Sequence, residues 1–257
     1  RNLSYATPIF YLDTIKTKYL YHIMKRIFGI MAVTCLTSLG ALAQTAEGFI
    51  LSKMGAKAEY TVTRGEKRKL NMGYAYQTKE NTKVEVREDG TTRVITKNFI
   101  LNKKKKPSNL AGVKEGSYTA IDVNPDGSYT ISGLLFGAIN ASASNAGFML
   151  KIPAELKVGD ALECGTTTTT FKMMGRTFTN STTYSDFQVV EERDHTTSAG
   201  TFHCYVVKGK NTTTSNNQTF SYDEEYWFAK GVGIVLYKMD DPQSKEKFYY
   251  ELTSLSL

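Results

Sequence analysis

Apolar and polar side chains alternate with a period of two along most of this chain, and this alternation is what most constrains its fold. Successive side chains of a β-strand point to opposite faces, so the alternation predicts strands with one buried face and one wet face. The spacing of an amphipathic helix is nearly absent. Since 41% of the residues are hydrophobic and 12% are aromatic, the chain can build a core and is too apolar for a disordered polymer.

The alternating segments predict an all-β protein: a curved antiparallel meander of about ten strands, either an open barrel or a two-sheet sandwich. The sequences Asp89-Gly90 and Asn124-Pro125-Asp126-Gly127 favour hairpin turns, because Gly adopts positive φ and Pro presets φ. The predicted strands are residues 57–63, 69–77, 83–87, 92–102, 117–123, 128–132, 161–174, 176–192, 201–210, 218–229, 234–240 and 247–255.

The start of the chain has the composition of a secretory signal peptide. Met24-Lys25-Arg26 precedes an apolar stretch at residues 27–39, and the small-residue pattern Ala41-Leu42-Ala43 follows. We therefore predict cleavage between Ala43 and Gln44, with residues 1–23 as an upstream non-native segment. The apolar stretch is too short for a stable membrane span. The expected location is the periplasm, or the exterior after secretion.

A lipoprotein signal that uses Cys35 is the alternative, and its acylation would tether the protein to a membrane. The bulky Thr34 before this cysteine argues against it. Residues 24–43 are thus expected to be removed, and residues 44–257 to form a single β-rich domain. Its halves, 44–132 and 150–257, would be joined by the loop 133–149.

Loss of the leader also changes the charge. The whole chain carries +7, but residues 1–43 hold five basic side chains and one acidic side chain, so the mature protein carries +3. So small a charge gives no reason to expect a nucleic-acid partner. The run from Lys103 to Lys106 is expected to be a solvated hairpin tip, with contact to an anionic glycan or lipid as the alternative.

Export would bring Cys164 and Cys204 into an oxidising compartment, where a pair of cysteines can persist as a disulfide. Such a bridge would stabilise the fold by roughly 3–4 kcal/mol through restriction of the unfolded chain. Two separate buried thiols are the alternative, and the sequence leaves both open.

The segment 133–147 interrupts the strand pattern with small and apolar residues between glycines. If the sheet encloses an apolar cavity, that cavity is the default ligand site. We expect this segment to be its lid, because small side chains pack lightly.

Three fragments in the second half resemble a family of exported β-rich envelope proteins of unknown function, the TapB-like proteins. The fragments are residues 152–160, 198–205 and 226–233, and they occur in the right order. The resemblance implies a periplasmic, mostly antiparallel β domain, and it brings no catalytic residues. Lys230 stands where this family pattern would have Pro.

No pattern of catalytic or metal-ligating residues stands out, so we predict no catalytic residue, no metal ion and no cofactor. The stretch from Asp122 to Gly127 resembles the opening of a calcium loop, but its twelfth position is Gly133 instead of Glu. A hairpin turn is therefore expected there.

Neighbouring strand residues point to opposite faces, which argues against several clustered sites. His195, His203, Cys164 and Cys204 could in principle supply a zinc site. His203 and Cys204, however, point to opposite faces and cannot bind one ion without a bulge, and the same geometry argues against a Cys–His dyad. Adjacent acids such as Glu224-Glu225 point apart as well, whereas the carboxylates of a glycosidase face one cleft.

Trp227, the single Trp, lies between Tyr226 and Phe228 just before the turn Gly231-Val232-Gly233. These three aromatic residues are the candidate ligand-binding residues, since a ring at a rim can stack on a sugar or an acyl chain. The favoured interpretation is structural, with the Trp227 ring packed over the glycine turn. The five threonines from Thr166 to Thr170 predict a solvated, hydroxyl-coated sheet face.

Export, a curved β fold and the lack of a catalytic pattern favour a non-catalytic role: binding or carrying a lipid or glycan of the cell envelope. A hydrolase acting on cell-wall or glycan material is the alternative. A binder should show an apolar cavity with few ionisable groups. A hydrolase should show two carboxylates, or a His with a carboxylate, that converge in a cleft. A purely structural protein should show a filled core.

Overall fold

The computed structural model describes residues 48–70, 73–108, 116–133, 135–136, 144–173, 176–215, 218–240 and 245–257. The upstream segment, the predicted signal peptide with its cleavage site, and Cys35 lie outside the described residues. No helix in these ranges has the length and apolar character needed to span a membrane.

The described residues form one antiparallel sheet of fifteen strands. The strands are β1 (Lys57–Arg64), β2 (Lys69–Leu70), β3 (Tyr76–Val86), β4 (Thr92–Leu101), β5 (Ser117–Val123), β6 (Tyr129–Ser132), β7 (Ser144–Gly147), β8 (Leu150–Ile152), β9 (Glu163–Cys164), β10 (Thr166–Met173), β11 (Arg176–Thr197), β12 (Gly200–Ser215), β13 (Gln218–Ala229), β14 (Gly233–Asp240) and β15 (Lys247–Ser256).

The order across the sheet is β7-β10-β11-β12-β13-β14-β15-β1-β3-β4-β5-β6-β8-β9, and β2 pairs with β1. The end strands β7 and β9 do not pair with each other, so the sheet is not closed. Backbone hydrogen bonds nevertheless join the segment before β10 to the middle of β11, as from Leu162 N to Phe187 O at 2.8 Å. The all-β, antiparallel prediction is confirmed, and the single sheet agrees with the open barrel instead of the sandwich.

The predicted number of about ten strands is wrong, because the sequence did not reveal several short pairings. β2 and β9 have two residues each, β8 has three and β7 has four. Such lengths are too short for an alternation to be recognised. β3 also runs unbroken through residues 78–82, which the sequence suggested as a break, because it absorbs a register shift between Asn81 and Lys83.

The two predicted hairpin turns are confirmed by backbone geometry. Gly90 has φ of 82° and Gly127 has φ of 80°, the left-handed region that glycine enters without strain. Gly127 N donates to Asn124 O at 2.9 Å and closes the turn between β5 and β6.

The first and last described strands of the chain, β1 and β15, pair with each other and form a seam within the sheet. Tyr60 pairs with Leu252 and Val62 pairs with Tyr250, and all four residues are buried. The Tyr60 hydroxyl also donates to Ile234 O of β14 at 2.8 Å. The seam therefore joins the two halves of the chain into one sheet.

A row of aromatic rings crosses the inner face of the second half. Tyr226 pairs with Tyr237 across β13 and β14, and Tyr237 pairs with Tyr250 across β14 and β15. Their ring centroids lie 4.6 Å and 5.2 Å apart, within the range of favourable aromatic contacts. Phe136, from the predicted lid segment, stacks on Tyr237 at 4.8 Å. Most of that segment lies outside the described residues.

The buried face of β12 changes partway along the strand. Phe202, Cys204 and Val206 are buried first, and Val207 and Asn211, on the opposite face, are buried afterwards. The change occurs because the tip of the β11–β12 hairpin lies over the outer face of β15, where Ser198 Oγ donates to Thr253 O at 3.1 Å.

A glycine substitution tests the packing behind β12. A Cβ atom at Gly209 would lie 2.3 Å from the ring of Phe187, which is buried. Gly209→Ala should therefore lower the free energy of unfolding by about 1–3 kcal/mol through overpacking. The control is Gly73→Ala, since nothing lies within 4 Å of a Cβ atom there. Urea unfolding of both variants checks this, and equal midpoints for the two would contradict the packing.

Candidate functional site

An open cleft of about 520 Å³ lies on the outer face of strands β11 to β15. Charged residues in register form its floor. Lys208 pairs with Glu225, and Glu225 pairs with Lys238, across β12, β13 and β14. Lys210 pairs in register with Asp223 in the next row. Charges of both signs therefore alternate across the cleft.

Glu225 is the charge at the centre of this floor. It accepts hydrogen bonds from Lys238 Nζ and from Trp227 Nε1, both at 2.5 Å, and Lys208 Nζ lies 3.4 Å away. Burial acts to raise the pKa of Glu225, but the hydrogen bonds from Lys238 and Trp227 outweigh it, so the pKa lies below its ordinary value. Glu225 is thus held as a carboxylate that is already paired.

Three other charged side chains of the cleft form no ion pair with a described residue. Among the described residues, Lys210 and Asp223 form no ion pair, although they face each other across β12 and β13. Asp186 accepts a hydrogen bond from Ser185 Oγ at 3.1 Å, and no ion pair joins it to another described residue. A cation and two carboxylates are therefore available to a ligand.

A bulge in β11 places Asp186 in the cleft, and its backbone conformation costs free energy. The register of β11 shifts between Ser185 and Gln188, and Asp186 has φ of 59°. A non-glycine residue seldom adopts positive φ, and such strain is concentrated at functional sites. The same bulge turns Phe187 into the core, where it is 1% exposed.

The inner face of the same strands holds a buried carboxyl group, Glu224, which is 4% exposed. The hydroxyls of Tyr237 and Tyr226 donate to it at 2.7 Å and 3.0 Å, and Asn211 Nδ2 donates at 3.3 Å. Burial raises the pKa of Glu224 to about 6 despite these donors. Glu224 and Glu225 therefore point apart, as their adjacency predicts, and they differ in chemistry.

The three predicted aromatic residues do not form one surface. Tyr226 and Phe228 lie on the inner face and are 2% and 0% exposed, while Trp227 lies on the outer face and is 6% exposed. Lys238 Nζ and Arg193 Cζ lie 4.7 Å and 5.3 Å from the centre of the Trp227 ring. Ligand binding by these residues stays a prediction, and the covered ring agrees with a packing role.

Cys164 and Cys204 lie on different strands, β9 and β12. Cys164 and Cys204 are free thiols in the structure, and each Sγ donates to a carbonyl two residues earlier. Burial raises the pKa of Cys204 to about 12, so this thiol is unreactive. The pairing of Cys164 with Cys204 as a disulfide stays a prediction.

The two histidines within the described residues, His195 and His203, bond to carboxylates on strand surfaces. His203 bonds through its two ring nitrogens to Asp194 at 2.8 Å and Glu192 at 2.6 Å, and these contacts raise its pKa. His195 bonds to Glu251 at 3.1 Å. Within the described ranges, no group of three His, Cys, Asp or Glu residues is arranged to hold a metal ion.

Other predicted segments have ordinary surface roles. Arg93 holds both carboxylate oxygens of Asp122, at 2.7 Å and 2.6 Å, so this residue of the calcium-like stretch is already paired. Lys105 pairs with Glu59 at 2.6 Å, and its neighbours in the lysine run are exposed. Thr166 bonds to Thr183 at 3.2 Å on an exposed face.

The sequence offered no strong signal for the residues that define the cleft. Lys210 and Asp223 are ordinary alternating strand residues, and their meeting depends on the register of β12 and β13. Asp186 enters the cleft only because of the bulge. The predicted strand range 176–192 did contain it, but a strict period of two gives no warning of a bulge.

These observations define an all-β protein with a polar cleft on one face of a large antiparallel sheet. A DUF3108-like family profile matches residues 53–241, and the chain belongs to that family. No curated protein matches the chain.

Two solved structures share the fold. One is described as a candidate exported protein with a YmcC-like fold from Bacteroides fragilis, with 15% identity and a TM-score of 0.61 over 82% of this chain and 100% of that chain. The other is described as a candidate lipoprotein from Parabacteroides distasonis, with 15% identity and a TM-score of 0.63 over 83% and 100%. At this identity the likeness shows the fold alone.

The buried carboxyl of Glu224 predicts a pH dependence of stability. Its pKa is about 6 in the fold, against an ordinary value of 4.5, so the folded state holds the proton more tightly than the unfolded state. Stability should therefore fall by about 2 kcal/mol as the pH rises from about 4.5 through 6. Glu224→Gln should remove this loss.

The measurement is urea unfolding of both proteins between pH 4 and pH 8. Relative to the variant, the wild type should lose stability across that window. A difference that stays constant with pH would contradict the assignment.

Proposed function

We propose that this chain is an exported, periplasmic envelope protein that binds, without catalysis, a glycan carrying both amines and carboxylates. The TapB-like fragments and the basic, apolar and small-residue leader pattern support the location. The main support for the ligand class is the outer-face cleft of about 520 Å³ with alternating lysines and carboxylates.

The lining of the cleft favours a glycan over a lipid. Burial of an acyl chain stabilises a complex only where the surface is apolar, and this floor is charged. Lys210 can pair with a carboxylate of the ligand, and Asp223 and Asp186 can pair with its amines. Hydrogen bonds to charged groups are the stronger kind, so a zwitterionic glycan gains most here.

A hydrolase is less well supported by the same cleft. Glycoside hydrolysis needs one carboxylic acid that is protonated and one that is ionised. Glu225 is ionised and paired, whereas the carboxyl group with the raised pKa, Glu224, is held by inner-face tyrosines. Glu224 lines the cleft as well, but Tyr226 and Tyr237 donate hydrogen bonds to its carboxyl group, which is therefore not free to protonate a substrate beside Glu225.

Soluble peptidoglycan fragments, which carry free amines and carboxylates, are suitable ligands for the test. They should bind to the wild type, and a neutral chito-oligosaccharide should bind far more weakly. Lys210→Met and Asp223→Asn should each weaken binding about tenfold, the value of one charged hydrogen bond. Lys104→Met, at an exposed position of the lysine run, should leave binding unchanged.

Calorimetry measures the affinity, and Trp227 emission reports on the site because its ring nitrogen donates to Glu225 of the floor. Equal binding of the neutral oligosaccharide, or no effect of either cleft variant, would contradict the proposal. Release of new reducing ends would show a hydrolase instead.

A further inference from the structure

A second, smaller cavity of about 50 Å³ lies on the inner face at the seam between the two halves. Ala58 and Ile121 line it from the first half, and Val232 and Ile234 line it from the second. A single water molecule needs about 10–15 Å³, so the cavity has room for a small ligand. Its walls are mainly apolar.

Nearly all polar side chains of this cavity are already satisfied. The Tyr60 hydroxyl donates to Ile234 O at 2.8 Å. Asn81 Nδ2 donates to two backbone carbonyls at 2.8 Å and 3.0 Å, and Asn81 Oδ1 accepts from Thr96 at 2.8 Å. These groups therefore have little capacity left for a ligand.

Lys79 is the exception. Its ammonium lies 4.2 Å above the centre of the Phe136 ring, and in the part of the chain that the structure describes it has no carboxylate within ion-pair distance. A ring face attracts a cation but offers no lone pair, so the N–H donors stay free. Burial lowers the pKa of Lys79 to about 7.

We propose that this cavity binds a short aliphatic carboxylic acid, whose carboxylate pairs with Lys79 and whose alkyl chain contacts the apolar walls. A ligand anion would supply the ion-pair partner that Lys79 lacks among the described residues. An ion pair is stronger in surroundings of low dielectric than in bulk water. The small volume restricts the alkyl chain to a few carbon atoms. This site lies on the opposite face from the charged cleft and does not depend on the glycan proposal.

The direct test compares hexanoate with 1-hexanol, which have the same chain and differ in the anionic group. Wild-type protein should bind hexanoate at least about tenfold more tightly, the factor expected for one charged hydrogen bond. In Lys79→Met this preference should vanish. Lys83→Met, on the same strand at an exposed lysine paired with Glu85, should keep it.

A second measurement uses the wild type alone and does not rely on the folding of a variant. NMR of ¹³C-labelled lysine should show the pKa of Lys79 rising when hexanoate is added, because the bound anion stabilises the ammonium. Equal affinity for hexanoate and 1-hexanol, a preference that persists in Lys79→Met, or an unmoved Lys79 signal would each overturn the proposal. Absence of binding by any acid from acetate to octanoate would overturn it as well.

Discussion

The pairing of β1 with β15 is the interaction on which the rest of the structure depends. It joins strands almost two hundred residues apart in sequence. The Tyr60 hydroxyl of β1 donates to Ile234 O of β14, and Thr253 Oγ1 of β15 donates to Glu59 O of β1. Without it the sheet would divide between β15 and β1, and each of the two sets of strands would gain an exposed edge. The apolar cavity would not exist, because its walls come from both sides of this seam.

The sheet carries different chemistry on its two faces because adjacent residues of a strand point apart. Glu225 contributes to a charged, open cleft, while its neighbour Glu224 is buried among tyrosines. Opposite pKa shifts at these two residues follow from this separation. One strand can thus contribute to an ionic surface and to an aromatic core. A ligand bound on one face of the sheet need not change the packing on the other face.

Alternation was sufficient to predict the all-β class and strands such as β5 and β13, and the Gly and Pro residues of two short segments predicted the hairpin turns. It could not predict what depends on register and on distant contacts. At the bulge beside Asp186 the Phe187 ring packs against Gly209, a contact that no local pattern reveals. Lys79 occupies an ordinary position in a polar stretch of sequence. Its lack of an ion-pair partner depends on the strands that meet at the seam. The aromatic residues Tyr226, Trp227 and Phe228 were conspicuous in the sequence, but all three are buried.

Native-state hydrogen exchange of the amides in β1 and β15 tests the seam most directly. If the seam holds the halves together, the paired amides near Tyr60, Val62, Tyr250 and Leu252 should exchange only on global unfolding, with the same free energy as the centres of β13 and β14. Exchange of β1 and β15 at a clearly lower free energy, while the other strands stay protected, would show that the halves fold independently and would contradict this account.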